Sequence, residues 1–480
     1  MRANRSQFYP NPAAVLPLKR QALRQRLSSA QRILREYRFP IYLLIAHIPL
    51  GILLKNSSAL ALLHPLAVLM IGLYFALRRD IRLEKVAGLL AYLMGAEVLW
   101  RMSKAPIFWE FGKYAAILII VAALVRRNCW KFPVLPALYF VFLVPAAFIT
   151  LASNSLGDAR DKLSFNLSGP LLLALACWFF SHVKVNPAGL KKILSFLIVP
   201  VLSIAVTTLF YTVTSDDIQF NNESNSATSG GYGPNQVSSV LGLGVFVCLA
   251  IYILFVNNFR ETVYLAGLAL LFAAQSVLTF SRGGMYNAIG AVSLVVLFQL
   301  RHLNQSVKRL LPIIGLGLLF LILVFPYLND FTGGALQDRF LDTDSTGRAD
   351  IVEADYHIFL NNPFLGAGVG EAKDLREDYF GKAVGAHTEF ARVIAEHGLF
   401  GIVSMLMMAF IAVYCVKKHQ LTIGKAITAG AVFWSFLFML NAGMRIAVPA
   451  FLWGIGFITI VGPPLRRKVR AKIQKAAPGL

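Results

Sequence analysis

The residues best equipped for chemistry lie between Gly385 and Gly401, in the run Gly-Ala-His-Thr-Glu-Phe-Ala-Arg-Val-Ile-Ala-Glu-His-Gly-Leu-Phe-Gly. His387, Glu389, Arg392 and Glu396 sit within ten residues of one another. Thr388 is a capping residue, Ala391, Ile394 and Ala395 favour a helix, and Gly398 is a stop signal. His387 therefore stands just ahead of a helix N-terminus, where the positive end of the macrodipole disfavours an imidazolium. A neutral ring can take a proton, and the same helix end attracts an anion. The predicted chemistry is proton abstraction, with His387 as general base and Glu389 either orienting it or binding a hydroxyl. Arg392 and Glu396 are spaced i,i+4, which predicts an ion pair. The same spacing also fits an amphipathic interfacial helix with a polar rim.

What must position these residues is a membrane. Of the 480 residues, 57% are hydrophobic, and they come in runs of about 15 to 24, the length that crosses a bilayer as helix. The expected fold is an all-α, polytopic integral membrane protein with about 14 spans: 40–54, 59–77, 84–100, 110–125, 132–152, 167–181, 190–213, 236–256, 262–280, 284–300, 309–328, 398–416, 423–441 and 446–461. Residues 1–39 form a basic N-terminal segment with nine Lys or Arg and one acid, Glu36. Its pattern from Ala22 to Arg38 fits a basic helix lying on an anionic leaflet, or a disordered basic tail. No cleavable signal peptide is expected, so the first apolar run is read as a span.

The net charge of +22 would suit a nucleic-acid binder, but the charge is sorted by side. With the N-terminus inside, the inner segments hold 32 of the 46 basic residues and 4 of the 24 acids. A missed span would invert every later loop and destroy that asymmetry, so an even count with both termini cytoplasmic is expected, and no nucleic-acid partner. Of the four cysteines, Cys129 falls in a short inner loop and Cys177, Cys248 and Cys415 fall within spans. Neither a disulfide nor a Cys-based metal site is expected.

The resulting organisation is a basic segment 1–39, eleven spans over 40–328, a large periplasmic loop 329–397, three spans over 398–461 and a basic cytoplasmic tail 462–480. The outer segment Thr214–Gln236 is rich in Ser, Asn and Gly and reads as a solvated loop with no Lys or Arg. A loop as long as 329–397 carries function or structure of its own. It reads as three helices, Gly347–Asn361, Glu371–Tyr379 and Thr388–Glu396, with a flexible turn at Gly366-Ala-Gly-Val-Gly.

Four segments carry a resemblance: Gly233-Pro-Asn-Gln opening a span; Thr279-Phe-Ser-Arg-Gly-Gly at a span's end; Gly347-Arg-Ala-Asp followed by Asn362-Pro-Phe-Leu-Gly-Ala-Gly-Val-Gly; and Ala386-His-Thr-Glu-Phe-Ala-Arg-Val-Ile-Ala-Glu-His-Gly-Leu-Phe-Gly. In this order they resemble the O-antigen ligase and polymerase family of bacterial membrane glycosyltransferases. The resemblance implies an inner-membrane enzyme that moves a glycan from a polyprenyl diphosphate carrier to a hydroxyl, with inversion and without a metal or other cofactor. Its partners would be the lipid-linked glycan donor, a glycan or lipid A-core acceptor, membrane lipids and a chain-length regulator. Arg282 and His387 fall where that family has a diphosphate-binding arginine and its essential histidine. The family's ligases also use an arginine in the loop before the Asn-containing span, and Thr214–Gln236 has none. This departure favours polymerase over ligase, or moves the role to another arginine.

Such chemistry needs positive charge for a diphosphate and a base for a hydroxyl. The sequence has no outer Asp-x-Asp pair beside a span and no His cluster, and Asp342-x-Asp344 reads as a solvated turn. Arginine is the alternative, because its planar fork binds phosphate in a bidentate way and stays charged. Arg282, in a tight turn before Gly283 and Gly284, is the leading candidate. Arg160 beside Lys162, Arg445 in the last outer turn, and Arg392 are the further ones. Arg348 opens a loop helix and reads as structural, as do Glu97–Arg101 and Glu110–Lys113 at i,i+4 and i,i+3. The rival class is a multi-span transporter, which would place ionisable groups near span centres and show two-fold internal symmetry. Neither feature is evident.

Overall fold

A computed structural model describes residues 42–215, 218–221, 223–256, 258–300, 303–342 and 347–462, with side chains omitted over 303–309. The expected basic helix from Ala22 to Arg38, most of the basic tail and Asp344 lie outside the described residues.

The described chain is almost entirely helical. It runs α1 (Tyr42–Asn56), α2 (Ser58–Leu77), α3 (Leu83–Met102), α4 (Phe111–Arg126), α5 (Val134–Val141), α6 (Pro145–Ser153), α7 (Leu156–Ser181), α8 (Pro187–Thr214), α9 (Pro234–Phe255), α10 (Phe259–Leu278), α11 (Gly283–Gln299), α12 (Leu303–Leu319) and, after a π-helical turn over Phe320–Val324, α13 (Phe325–Phe331). Short helices α14 (Ala335–Leu341), α15 (Arg348–Asn361), α16 (Ala372–Leu375) and α17 (Glu377–Phe380) occupy the large loop. The chain then closes with α18 (Glu389–Lys418), α19 (Thr422–Asn441) and α20 (Val448–Ile455). Capping residues start many of these helices: Ser57, Ser155, Asn186, Asn258 and Thr388 each accept a backbone N–H from the first turn.

This is a polytopic membrane protein, with two departures from the expected spans. Among the described residues, nine helices have the length and apolarity to cross a bilayer unaided, and two shorter apolar ones, α1 and α11, accompany them. The count of fourteen is not reproduced, because α1, α4, α11 and α20 are shorter than 18 residues and α3 carries Glu84, Lys85, Glu97 and Arg101. The run 132–152 stays among the nine as Val134–Ser153, but it is interrupted between α5 and α6 ahead of Pro145, which has no N–H to continue the ladder. The run 446–461 is an eight-residue helix followed by a two-residue strand, β2 (Thr459–Ile460), which pairs in parallel with β1 (Lys184–Val185). Eight helical residues rise about 12 Å, well short of a hydrocarbon core of about 30 Å. The irregular backbone is acceptable because α20 is buried in protein, between α7 and α19, and the strand bonds satisfy its amides. A third difference concerns α7, which begins at Leu156 and so places Arg160 and Lys162 on helix and not in a turn.

Helix α9 forms the centre, with 89% of its apolar window buried, whereas the segment Leu310–Phe331 buries none of its own and is left to face lipid. Around α9 pack α8, α10 and α11, and α11 lies along α19. Two glycines allow α9 and α11 to touch: a Cβ on Gly242 would lie 2.1 Å from the Gly284 carbonyl oxygen, and one on Gly284 would lie 2.1 Å from that of Ser238. This contact fixes the start of α11, and with it Arg282. On the far side of the bundle a hydrogen-bonded chain ties α1, α2 and α3. The Trp100 indole N–H can only donate, so it sets every proton after it. It donates to His64 Nδ1 (2.7 Å), His64 Nε2 donates to the Tyr92 hydroxyl (2.8 Å), and that hydroxyl donates to His47 Nε2 (2.8 Å).

Gly242→Ala is expected to destabilise the protein by about 1–3 kcal/mol through overpacking, read as a lower unfolding temperature in detergent. Gly267→Ala, which would meet open space, is the control and should leave it unchanged.

Candidate active site

At one end of the bundle the large loop folds over the junctions α10–α11 and α19–α20. The segment ahead of α18 carries His387. Thr388 caps the helix by accepting from Ala391 N at 3.2 Å, so His387 lies just outside the first turn, at the positive end. The helix bends at Gly398, whose φ of +59° and ψ of −138° lie outside helical space. A side chain there would run into the Pro363 carbonyl, and one on Gly366 into the Glu396 backbone. The glycine turn 366–370 thereby lies directly on α18, with Ala367 N and Gly368 N donating to the Ala395 and Glu396 carbonyls.

Around His387 the buried charges are mutually satisfied. Arg392 donates to Glu389 Oε1 and to Glu396 Oε2, both at 2.5 Å. The other Glu389 oxygen accepts from Met444 N at 3.0 Å and from Arg392 Nε at 3.3 Å. Glu389 makes no bond to the His387 ring, and Arg392 is enclosed by carboxylates. Arg376, 1% exposed, meets Asp355 at 2.5 Å and donates to the Val384 carbonyl at 2.9 Å, so α15 is tied to the segment that carries His387. Burial pushes the Asp355 carboxyl up, and Arg376 pulls it back down.

The His387 ring has no hydrogen-bond partner among the described residues. Its pKa is held below the ordinary histidine value, chiefly by partial burial and then by the charges of Arg348, Arg445 and Arg376. Arg445 is close, donating to the Ala386 carbonyl at 2.7 Å. Arg348 leads in the other direction. It is half-buried, its Nε has no partner, and it feels the charges of Arg282 and Arg339. Arg282 occupies the position just ahead of α11 and donates to the Asp342 carbonyl. Arg339, 6% exposed, donates to the Phe280 carbonyl at 3.1 Å. Phe280 itself is buried with φ of +58°, a costly conformation for an aromatic residue, two residues before Arg282. Arg282, Arg339 and Arg348 thus lie near enough to feel one another's charge, with Asp342 and Glu223 acting on Arg339 among the described residues, and His387 feels the charge of Arg348.

Of the residues singled out from sequence, the fold brings His387, Glu389, Arg392 and Arg445 together, with Arg282 reached through Arg348. Arg160 is not brought in: it is exposed and pairs with its neighbour Asp161. Lys162 binds Glu371, Asp374 and Asn154 and pins the loop to α7. Sequence reasoning passed over Arg339 and read Arg348 as structural. Arg348 had a usable signal, since it stands in the Gly347-Arg-Ala-Asp segment. Arg339 had none beyond being one of few cations in the loop. No group of three or more His, Cys, Asp or Glu among the described residues is arranged to hold a metal ion.

Residues 267–406 match a family model described as O-antigen ligase. That stretch runs from α10 past the bend in α18 and contains Arg282, Arg339, Arg348, His387, Glu389 and Arg392, but neither Arg160 nor Arg445. A comparison with curated proteins finds no match.

Two measurements check the site. By NMR of the histidine side chains, His387 should titrate below about 6.5, the free-histidine value. Arg348→Gln should move it upward, because removing a neighbouring cation relieves the penalty on the imidazolium. Separately, Arg376→Ala leaves Asp355 buried and unpaired and should cost about 3–5 kcal/mol, seen as a lowered unfolding temperature and faster proteolysis of the loop.

Proposed function

We propose that this chain, an O-antigen ligase-like membrane protein of surface polysaccharide assembly, transfers a polyprenyl-diphosphate-linked oligosaccharide to a sugar hydroxyl. The reaction takes place at the outer face of the bacterial inner membrane, with both termini cytoplasmic. The observation that carries the reading is the His387 ring. It is pushed toward the neutral form, it has no hydrogen-bond partner among the described residues, it stands at the positive end of α18, and it feels the charge of Arg348, which in turn feels those of Arg282 and Arg339.

The roles follow from charge. The leaving diphosphate gains negative charge as the anomeric C–O bond breaks. Arg282, Arg339 and Arg348 neutralise it in a site with little competing water, where fixed charges act most strongly. The acceptor hydroxyl attacks from the opposite side and passes its proton to His387, so a single displacement inverts the anomeric centre and needs no metal ion. The low pKa of His387 keeps it in the proton-accepting form at neutral pH. Glu389 positions the apparatus by holding Met444 and Arg392, and Arg445 holds the strand of chain that presents His387. Polymerisation of glycan chains is favoured over ligation to lipid A-core because Thr214–Gln236 contains no Lys or Arg. Arg339 or Arg348 takes the role that a basic residue in that loop would have.

His387→Ala is expected to lower transfer by about 10²–10⁴-fold and Arg282→Ala to reduce it strongly. Both should accumulate the lipid-linked donor at normal protein levels. Arg282→Lys should also be impaired, since a point charge does not replace a bidentate fork. The check is transfer by purified protein given lipid-linked oligosaccharide and each candidate acceptor. Normal turnover by His387→Ala would remove the base from the mechanism.

A further inference from the structure

Between the ends of α3 and α4 and the segment ahead of α9 lies a cavity of about 250 Å³. The transfer chemistry makes no use of it. It falls below the roughly 300–1,000 Å³ of sites for drug-sized ligands, which limits it to about one sugar ring. Its walls are aromatic, with Trp109 facing Tyr232 (centroids 6.2 Å apart) and Trp100 packed on Phe111. Aromatic faces beside polar groups suit a ring that has one apolar face and a hydroxylated edge.

The cavity also carries two cations, one of them paired. Arg101 lies against Trp109, 4.6 Å from the ring centre, with its side chain 6% exposed. Its terminal nitrogens are engaged with Glu97, Gln236, and the carbonyls of Trp109 and Arg445. Its Nε is buried among these groups with no partner. Lys104 is exposed, its ammonium has no partner among the described residues, and its backbone is held at φ of +52°. Glu97 neutralises Arg101, with one oxygen accepting from it (2.6 Å) and the other from Ala447 N (2.6 Å), so Lys104 is the cation left for an anionic group on a ligand.

Position assigns the ligand. Arg101 donates to the Arg445 carbonyl, and Arg445 donates to the Ala386 carbonyl next to His387, so Arg445 ties the cavity wall to the segment that carries the base. A general base takes its proton from the acceptor, so a cavity tied to that segment is placed for the acceptor's sugar.

We propose that this cavity holds an acidic sugar of the acceptor glycan, its ring against Trp109 and Tyr232 and its carboxylate or phosphate on Lys104. The inference rests on the transferase reading but is tested by binding alone. The full chain in neutral-lipid nanodiscs is titrated with tetragalacturonate, with neutral tetragalactose as control, and saturation transfer to the sugar protons is read by NMR. The acidic probe should bind and the neutral one should bind more weakly. Trp109→Ala should weaken binding of the acidic probe about tenfold. Lys104→Gln should weaken it less, by an amount that shrinks as salt is raised. His387→Ala should bind the probe like the wild type while failing to transfer. Absence of binding by the wild type, equal binding of the two probes, or wild-type affinity in both cavity variants overturns the assignment. None of those results touches the transferase reading, which stands or falls on turnover by His387→Ala.

Discussion

Two buried carboxylates hold one turn, and the candidate site is assembled around it. Residues 442–447 join α19 to α20. Glu389 from α18 accepts from Met444 N, and Glu97 from α3 accepts from Ala447 N. Arg101 donates to the Arg445 carbonyl, and Arg445 reaches back to Ala386. A turn at the end of a helical bundle has backbone groups that no helix satisfies. Here charged side chains from α3 and α18 satisfy several of them. Each carboxylate is compensated by an arginine on its own helix, so neither is an unpaired buried charge. The same bonds set the distance between His387, the cavity beside Trp109 and the rest of the bundle.

The arginines divide by their surroundings. Arg101, Arg376 and Arg392 are enclosed by carboxylates and carbonyls and act as struts. Arg339 and Arg348 instead crowd Arg282, with Asp342 and Glu223 as the nearby acids among the described residues. The first group is architecture, and the second is where the proposed reaction would place the diphosphate. His387 is pushed toward its neutral form chiefly by partial burial and then by the charges of Arg348, Arg445 and Arg376.

Much of this was legible in the residues. Thr388 as cap and Gly398 as the break follow from local backbone rules, so the helix start and the place of His387 could be read directly. The Arg392–Glu396 pair follows from i,i+4 spacing in the same way. Local rules went wrong where the partner was distant. Lys113 was read as the partner of Glu110, yet it is buried and donates to Ser168 on α7. Arg160 and Lys162 were read in a turn, but α7 extends over them, and one faces out while the other is claimed by Glu371 and Asp374. The last apolar run was read as a helix, but it turns into a strand because β1, far away in sequence, offers its edge.

Composition and spacing alone determined a membrane-embedded, helical chain and the residues that start and stop its helices, because those depend on hydropathy and on contacts within one turn. The tertiary structure decided which cations became struts and which were left to crowd one another. That choice depends on which carboxylates arrive from other helices, and no local pattern encodes such arrivals. It also decided which of residues 101, 282, 348, 387 and 445 come near one another, since they do so only when the bundle closes.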